Sequence, residues 1–149
     1  MTKPNNQTTK SSNLTVARQN FIVSETQRVS KLYSTKHKAG FPTRDSFTTW
    51  FIQQMQSQDF QCYYCETSIF LIRGLIDTEK LLARKTGYGY RGRILEIDKK
   101  RNSSGYNMNN CVLSCYYCNN DKSYTLDSDV YKEYFGPSRK RFFEFLNRS

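Results

Sequence analysis

The sequence predicts an α+β fold: a small strand–loop–strand–helix core, pinned by four cysteines and flanked by N- and C-terminal helices. Three observations predict it. The tetrapeptide CYYC occurs twice, at positions 62–65 and 115–118. Two short runs with strand character, "RILEID" and "CVLSC", lie before the second copy and are joined by a polar loop. Outside this region, apolar residues recur at helical spacing on both sides.

Taken in order, residues 1–13 are Asn, Gln, Thr, Ser and Lys with almost nothing to bury, and are expected to form a disordered tail ahead of a single domain over 14–149. Leu14, Ala17, Phe21, Ile22, Val29 and Tyr33 suggest a first helix, which "HKAGFPTRD" breaks with Gly40 and Pro42. Asp45 is expected to cap a second helix whose Phe47, Trp50, Phe51 and Met55 make one core-facing side. The first CYYC reads as a tight turn, "SIFLIRGLI" as a short strand or buried segment, and "DTEKLLARK" as a short helix capped by Asp77. "GYGYRGR" reads as a glycine-rich basic loop, and a helix is expected to start near Asn119. Two further helical pieces, "DSDVYKEYF" and "PSRKRFFEFLNRS", meet at Gly136 and Pro137.

Composition narrows the function classes. Of 149 residues only 37% are hydrophobic, and the formal net charge is +10. That charge favours an anionic partner, nucleic acid above all. No apolar run approaches a membrane span, and the polar N-terminus has no secretory core. The expectation is a cytoplasmic protein, bacterial or phage-encoded, with neither a membrane nor a small-molecule substrate. In a reducing compartment, five cysteines argue for metal before disulfides.

The two-residue gap of each CYYC lets both thiolates grip one ion, and two such pairs supply a tetrahedral zinc site from Cys62, Cys65, Cys115 and Cys118. The alternatives are two redox motifs, for which Tyr-Tyr between the cysteines is a poor fit, or a pair of disulfides, against which the reducing compartment argues. Cys111 is left over as a buried thiol. Between Cys65 and Cys115 lie 49 residues, against about 12–20 in a simple zinc finger or ribbon. The zinc therefore pins the ends of a sizeable insertion. A closed shell of four thiolates does no chemistry itself, so function lies in what it holds.

The run "LEIDKKRNSSGYNMNNCVLSCYYCNNDKS" resembles the HNH, or ββα-metal, nucleases. Their pattern is a strand ending in Asp-His, a loop with Gly and then Asn, a second strand, a Cys-x-x-Cys knuckle, and "N..K" opening a helix. Asp98 matches the Asp, Gly105 and Asn110 the loop residues, Cys115 and Cys118 the knuckle, Asn119 the helix Asn and Lys122 the Lys. Within the family the chain looks most like the small zinc-bound restriction enzymes of the PacI kind. It is also similar to phage junction-resolving endonuclease VII in size and in its four zinc-binding cysteines.

The resemblance implies a catalytic divalent ion, Mg2+ or another, held by Asp98 and Asn119 facing each other, with Asn110 and Gly105 ordering the loop. Mg2+ takes oxygen ligands and keeps several waters, so one carboxylate and one amide can suffice. The family's base is the His after the Asp, and here that place holds Lys99, normally protonated and a poor base. Two substitutes precede Lys99 as candidates: Tyr106, and then His37, the only histidine.

From Arg84 to Arg101 there are seven basic residues (Arg84, Lys85, Arg91, Arg93, Lys99, Lys100 and Arg101) and two acidic ones. Glycines, Tyr88 and Tyr90 are interleaved, a pattern suited to phosphates and to stacking on bases. Arg139, Lys140 and Arg141 form a second basic patch, and Lys122 joins the expected DNA contacts. The expected function is a metal-dependent DNA endonuclease, more restriction-like than homing, acting on double-stranded DNA as a homodimer. The alternatives are a junction-resolving nuclease and a zinc-stabilised nucleic-acid binder without catalysis.

Overall fold

The computed structural model describes residues 6–87 and 89–149. Helix α1 (Asn6–Leu32) includes much of the stretch expected to be disordered: residues 1–5 lie outside the described residues, but 6–13 are helical. No proline or glycine separates them from the packed part of the helix, and extending an existing helix needs no new nucleus. Packing begins further on, where Phe21, Glu25 and Val29 form a buried stripe at four-residue spacing.

Helix α2 (Arg44–Ser57) starts one turn after Gly40, and its cap is Thr43 rather than Asp45. Thr43 and Ser46 form a reciprocal capping box, and Asp45 sits in the first turn, where a negative charge complements the helix dipole. Phe47, Trp50, Phe51 and Met55 are all buried, in a cluster with Phe41 and Tyr33.

The segment expected as a strand or buried run is helix α3 (Ile69–Asp77), capped by Ser68. Its buried Ile69, Ile72 and Leu75 are three apart, a period that so short an apolar run cannot declare from sequence. Asp77 ends this helix instead of opening the next, and residues 78–83 are turns and irregular chain where a helix was expected. The glycine-rich loop is in part a hairpin, β1 (Arg84–Thr86) against β2 (Gly89–Arg91), with Gly89 supplying a positive φ of 120°.

The central pair is β3 (Leu95–Lys99) and β4 (Cys111–Cys115), antiparallel, with Leu95 opposite Cys115 and Asp98 opposite Val112. All five β4 residues are buried. The outer edge of β4 is closed by the Gln58 amide, which accepts from Leu113 N–H at 3.0 Å and donates to Leu113 C=O at 2.8 Å. Helix α4 (Tyr116–Lys122) follows directly, three residues earlier than expected, because Cys115 caps it: its sulfur accepts the Cys118 N–H at 3.4 Å. Helices α5 (Ser128–Tyr134) and α6 (Gly136–Arg148) complete the chain. Among the described residues no helix is long and apolar enough to cross a membrane.

Gly40 fixes where the loop between β3 and β4 lies. A Cβ at this position would overlap the Tyr106 carbonyl oxygen and crowd Asn107. Gly40→Ala is therefore expected to destabilise the protein by about 1–3 kcal/mol, as overpacking does. It should also displace Tyr106, which a lowered thermal midpoint together with changed Tyr106 aromatic resonances would reveal.

Candidate active site

The four CYYC cysteines come together. Their sulfurs lie within 4.8 Å of one another and all four residues are buried. A tetrahedral Zn2+ site with bonds of about 2.3 Å has sulfur–sulfur edges of about 3.8 Å, so the cluster needs only slight contraction to fit. The first pair sits in a turn in which Glu66 N–H donates to Cys62 C=O and Cys62 N–H to Thr67 C=O. The second is the entry to α4. The thiols compete for negative charge: hydrogen bonds from Cys115, Cys118 and Cys62 hold the Cys65 thiol well below its usual value, while burial pushes Cys115 well above. A divalent cation held by Cys62, Cys65, Cys115 and Cys118 would stabilise all four as thiolates. Cys111 stays outside the cluster, and burial pushes its thiol up to about 11.

The face of β3 that meets α4 carries Glu96 and Asp98, two apart and so on one side of the strand. Asn119 and Lys122, three apart, face them from α4. Asn119 and Asp98, expected opposite each other, have different partners. Asn119 Nδ2 donates to Glu96 Oε2 at 2.9 Å, and Lys122 Nζ lies 3.2 Å from Asp98 Oδ2. Because α4 begins at Tyr116, Asn119 falls in its second turn and lies level with Glu96.

Lys122 was expected on the DNA surface and is instead fully buried. A buried ammonium requires charged and polar partners. Lys122 finds them in Asp98 and in the Lys99 carbonyl, to which Nζ donates at 3.0 Å. The Tyr64 hydroxyl donates to Asp98 Oδ2 at 2.5 Å. Burial, and then the Asp98 charge, push the Tyr64 phenol far above its usual value, so it stays a donor. Glu96 has a second partner in Arg91, whose guanidinium grips it with two bonds of 2.8 and 2.5 Å. Arg91 also lies over the Tyr116 ring.

The three candidate bases converge. His37 meets the Tyr106 ring edge-on at 5.1 Å, and the Lys99 ammonium lies 5.3 Å from the same ring. His37 is buried against Phe47, with Ser34 Oγ 3.3 Å from Nδ1. Burial, and then Lys36, lower its pKa, so it is a neutral imidazole at pH 7. Tyr106 is half-buried. Asn110 ties the loop: its Oδ1 accepts Arg101 N–H, while Nδ2 donates to the Arg101 and Gly105 carbonyls. Gly105 contributes that carbonyl, whereas a Cβ on it would meet nothing.

The basic residues divide. Arg93 pairs with Asp77, Arg139 with Asp121 and Lys140 with Glu66, and Arg141 reaches Ser138. Arg84, Lys85, Lys100 and Arg101 have no ion-pair partner among the described residues, and Arg84 reaches the Tyr116 hydroxyl. Tyr90 is 63% exposed, and Tyr88 lies outside the described residues. Two residues of the site escaped the sequence reading. Glu96 shares a strand face with Asp98, a signal that alternation carried. Tyr64 had no such signal, being 34 residues from its partner.

A paired β3–β4 hairpin, a loop closed by an Asn, and a helix opening on a cysteine knuckle make up the ββα-metal fold of the HNH proteins. Among solved structures, the chain is similar to the rare-cutting HNH restriction endonuclease PacI. The TM-score is 0.60 at 22% identity, over 83% of this chain and 80% of that one. In sequence it is 30% identical over 105 residues, 64% of its length, to an uncharacterized protein of Acanthamoeba polyphaga mimivirus. The chain spans 19% of the length of that relative. No protein-family model matches the sequence.

Proposed function

We propose that this protein is a divalent-metal-dependent DNA endonuclease of restriction-like type. The observation that carries the reading is the seam between β3 and α4, where the Glu96 and Asp98 carboxylates and the Asn119 side-chain amide lie within one ββα frame beside a four-cysteine cluster suited to zinc. Its donors are hard oxygens, which suit Mg2+ or Mn2+. Asp98 and Asn119 are the proposed ligands. A cation bound there would polarise the scissile phosphate and stabilise the leaving 3′ oxygen.

Tyr106 is the proposed proton acceptor. It is half-buried, whereas His37 is 5% exposed and packed behind it. Lys99 keeps the role of phosphate contact. The unpaired Arg84 and Lys85, with Tyr90 opposite Lys85 on the hairpin, and the unpaired Lys100 and Arg101 after β3 are the proposed DNA contacts. A homodimer would set two sites on a palindrome, and the exposed Tyr134, Phe135, Phe142 and Phe145 offer apolar surface for it.

A second reading, a zinc-stabilised nucleic-acid binder without catalysis, draws support from Lys122 at Asp98 and from Lys99 in the base position. Incubating the protein with phage DNA and with a four-way junction in Mg2+ or Mn2+ separates the readings. Discrete duplex fragments support the restriction-like enzyme, and cutting confined to the junction supports a resolving one. Binding without cutting supports the binder. For the DNA face, Lys85→Ala and Arg101→Ala are each expected to weaken binding uniformly across sequences and to lower the salt slope by about 1. Binding measured against salt concentration checks this.

A further inference from the structure

We propose that Tyr64, in the spacer of the first CYYC, is a positioning residue for Asp98, so that the zinc clamp sets the orientation of the hydrolytic carboxylate. The inference rests on the metal-site reading given above. Its ground is the 2.5 Å hydrogen bond from the Tyr64 hydroxyl to Asp98 Oδ2, which runs from inside the zinc turn to the strand that carries the site.

The ring is held on every side. Tyr64 is 2% exposed, Tyr131 of α5 packs against it edge-on at 5.2 Å, and the Lys122 ammonium lies 6.0 Å from its centroid. A Cβ on Gly136 would overlap the Tyr64 carbonyl, so the start of α6 presses on the same turn. The zinc turn fixes the Tyr64 backbone, and the packing fixes the ring. The hydroxyl is therefore a donor placed in advance at Oδ2, with Lys122 as the second partner of the carboxylate. Outer partners of this kind orient a ligating carboxylate and typically change metal affinity about 10–100-fold when removed.

The other three spacer tyrosines have different partners. Tyr63 packs under Lys132 and Tyr116 under Arg91, while the Tyr117 hydroxyl donates to Leu82 C=O. Of these four tyrosines, Tyr64 is the one hydrogen-bonded to Asp98, which makes the role specific to that position.

The test is Mn2+ binding to zinc-loaded protein, followed by electron paramagnetic resonance, with zinc content and thermal midpoint as controls. Tyr64→Phe removes the hydroxyl and keeps the ring. It is expected to retain zinc while binding Mn2+ about 10–100-fold more weakly. Tyr131→Phe is the comparison: its hydroxyl bonds Asp121 instead, and Mn2+ affinity should stay as in the wild type. Equal Mn2+ affinity in Tyr64→Phe and wild type overturns the proposal while leaving the metal site standing. An equal loss in Tyr131→Phe also overturns it, since the effect would then not belong to the Tyr64 hydroxyl. Should the wild type bind no Mn2+ beyond an Asp98→Ala control, the metal-site reading fails and this inference with it.

Discussion

Removing zinc, or replacing any one of Cys62, Cys65, Cys115 and Cys118 by serine, is expected to unfold the chain. The four sulfurs join the turn before α3 to the β4–α4 junction, and all four residues belong to the hydrophobic core cluster. Structural zinc contributes about 10–16 kcal/mol of apparent binding free energy in zinc-finger peptides. That is comparable to the whole stability of a typical domain, about 5–15 kcal/mol, and zinc held at this cluster would contribute it to folding. Circular dichroism during treatment with a zinc chelator should show helix signal and zinc lost together. Cys111→Ala, outside the cluster, should keep its zinc. Full helix content in the zinc-free protein would contradict this account of the clamp.

The second large effect concerns cleavage. Asn119→Ala and Asp98→Ala are each expected to lower metal-dependent cutting by at least about 100-fold, the upper end for removal of a mere outer partner. The two should differ in stability. Asn119→Ala leaves the Arg91–Glu96 pair in place. Asp98→Ala leaves the fully buried Lys122 without its carboxylate, a loss of about 3–5 kcal/mol. Asp98→Ala/Lys122→Met removes both charges and should recover most of the thermal midpoint without recovering cleavage. Thermal melts beside cleavage assays on the four proteins check the pattern. Recovered cutting in the double variant would mean that Asp98 serves the fold alone.

How far the sequence could be read depended on the kind of signal. The zinc cysteines were legible because a two-residue gap is a local geometric requirement, and the β3 and β4 strands because alternation and apolar runs are local too. Helix α3 was not, since nine residues of "IFLIRGLID" fit a buried strand or a buried helix equally well and only the Ser68 cap decides. The start of α4 was missed because a cysteine sulfur, not a Ser or Asp side chain, caps it. At the β3–α4 seam, the sequence named Asp98, Asn119 and Lys122, but not how they pair. Asn119 lies level with Glu96 and Lys122 with Asp98 because of where α4 starts, and that is a tertiary fact. The meeting of His37 with Tyr106 depends on the close approach at Gly40, between segments far apart in sequence.

The deciding experiment incubates zinc-loaded wild-type protein with supercoiled DNA, phage DNA and a four-way junction, with and without added Mn2+, beside Asp98→Ala and Asn119→Ala. Discrete duplex fragments should appear only with Mn2+ and be lost in both variants. Intact duplex and junction DNA, with salt-sensitive binding retained, would contradict it and leave a zinc-stabilised binding protein.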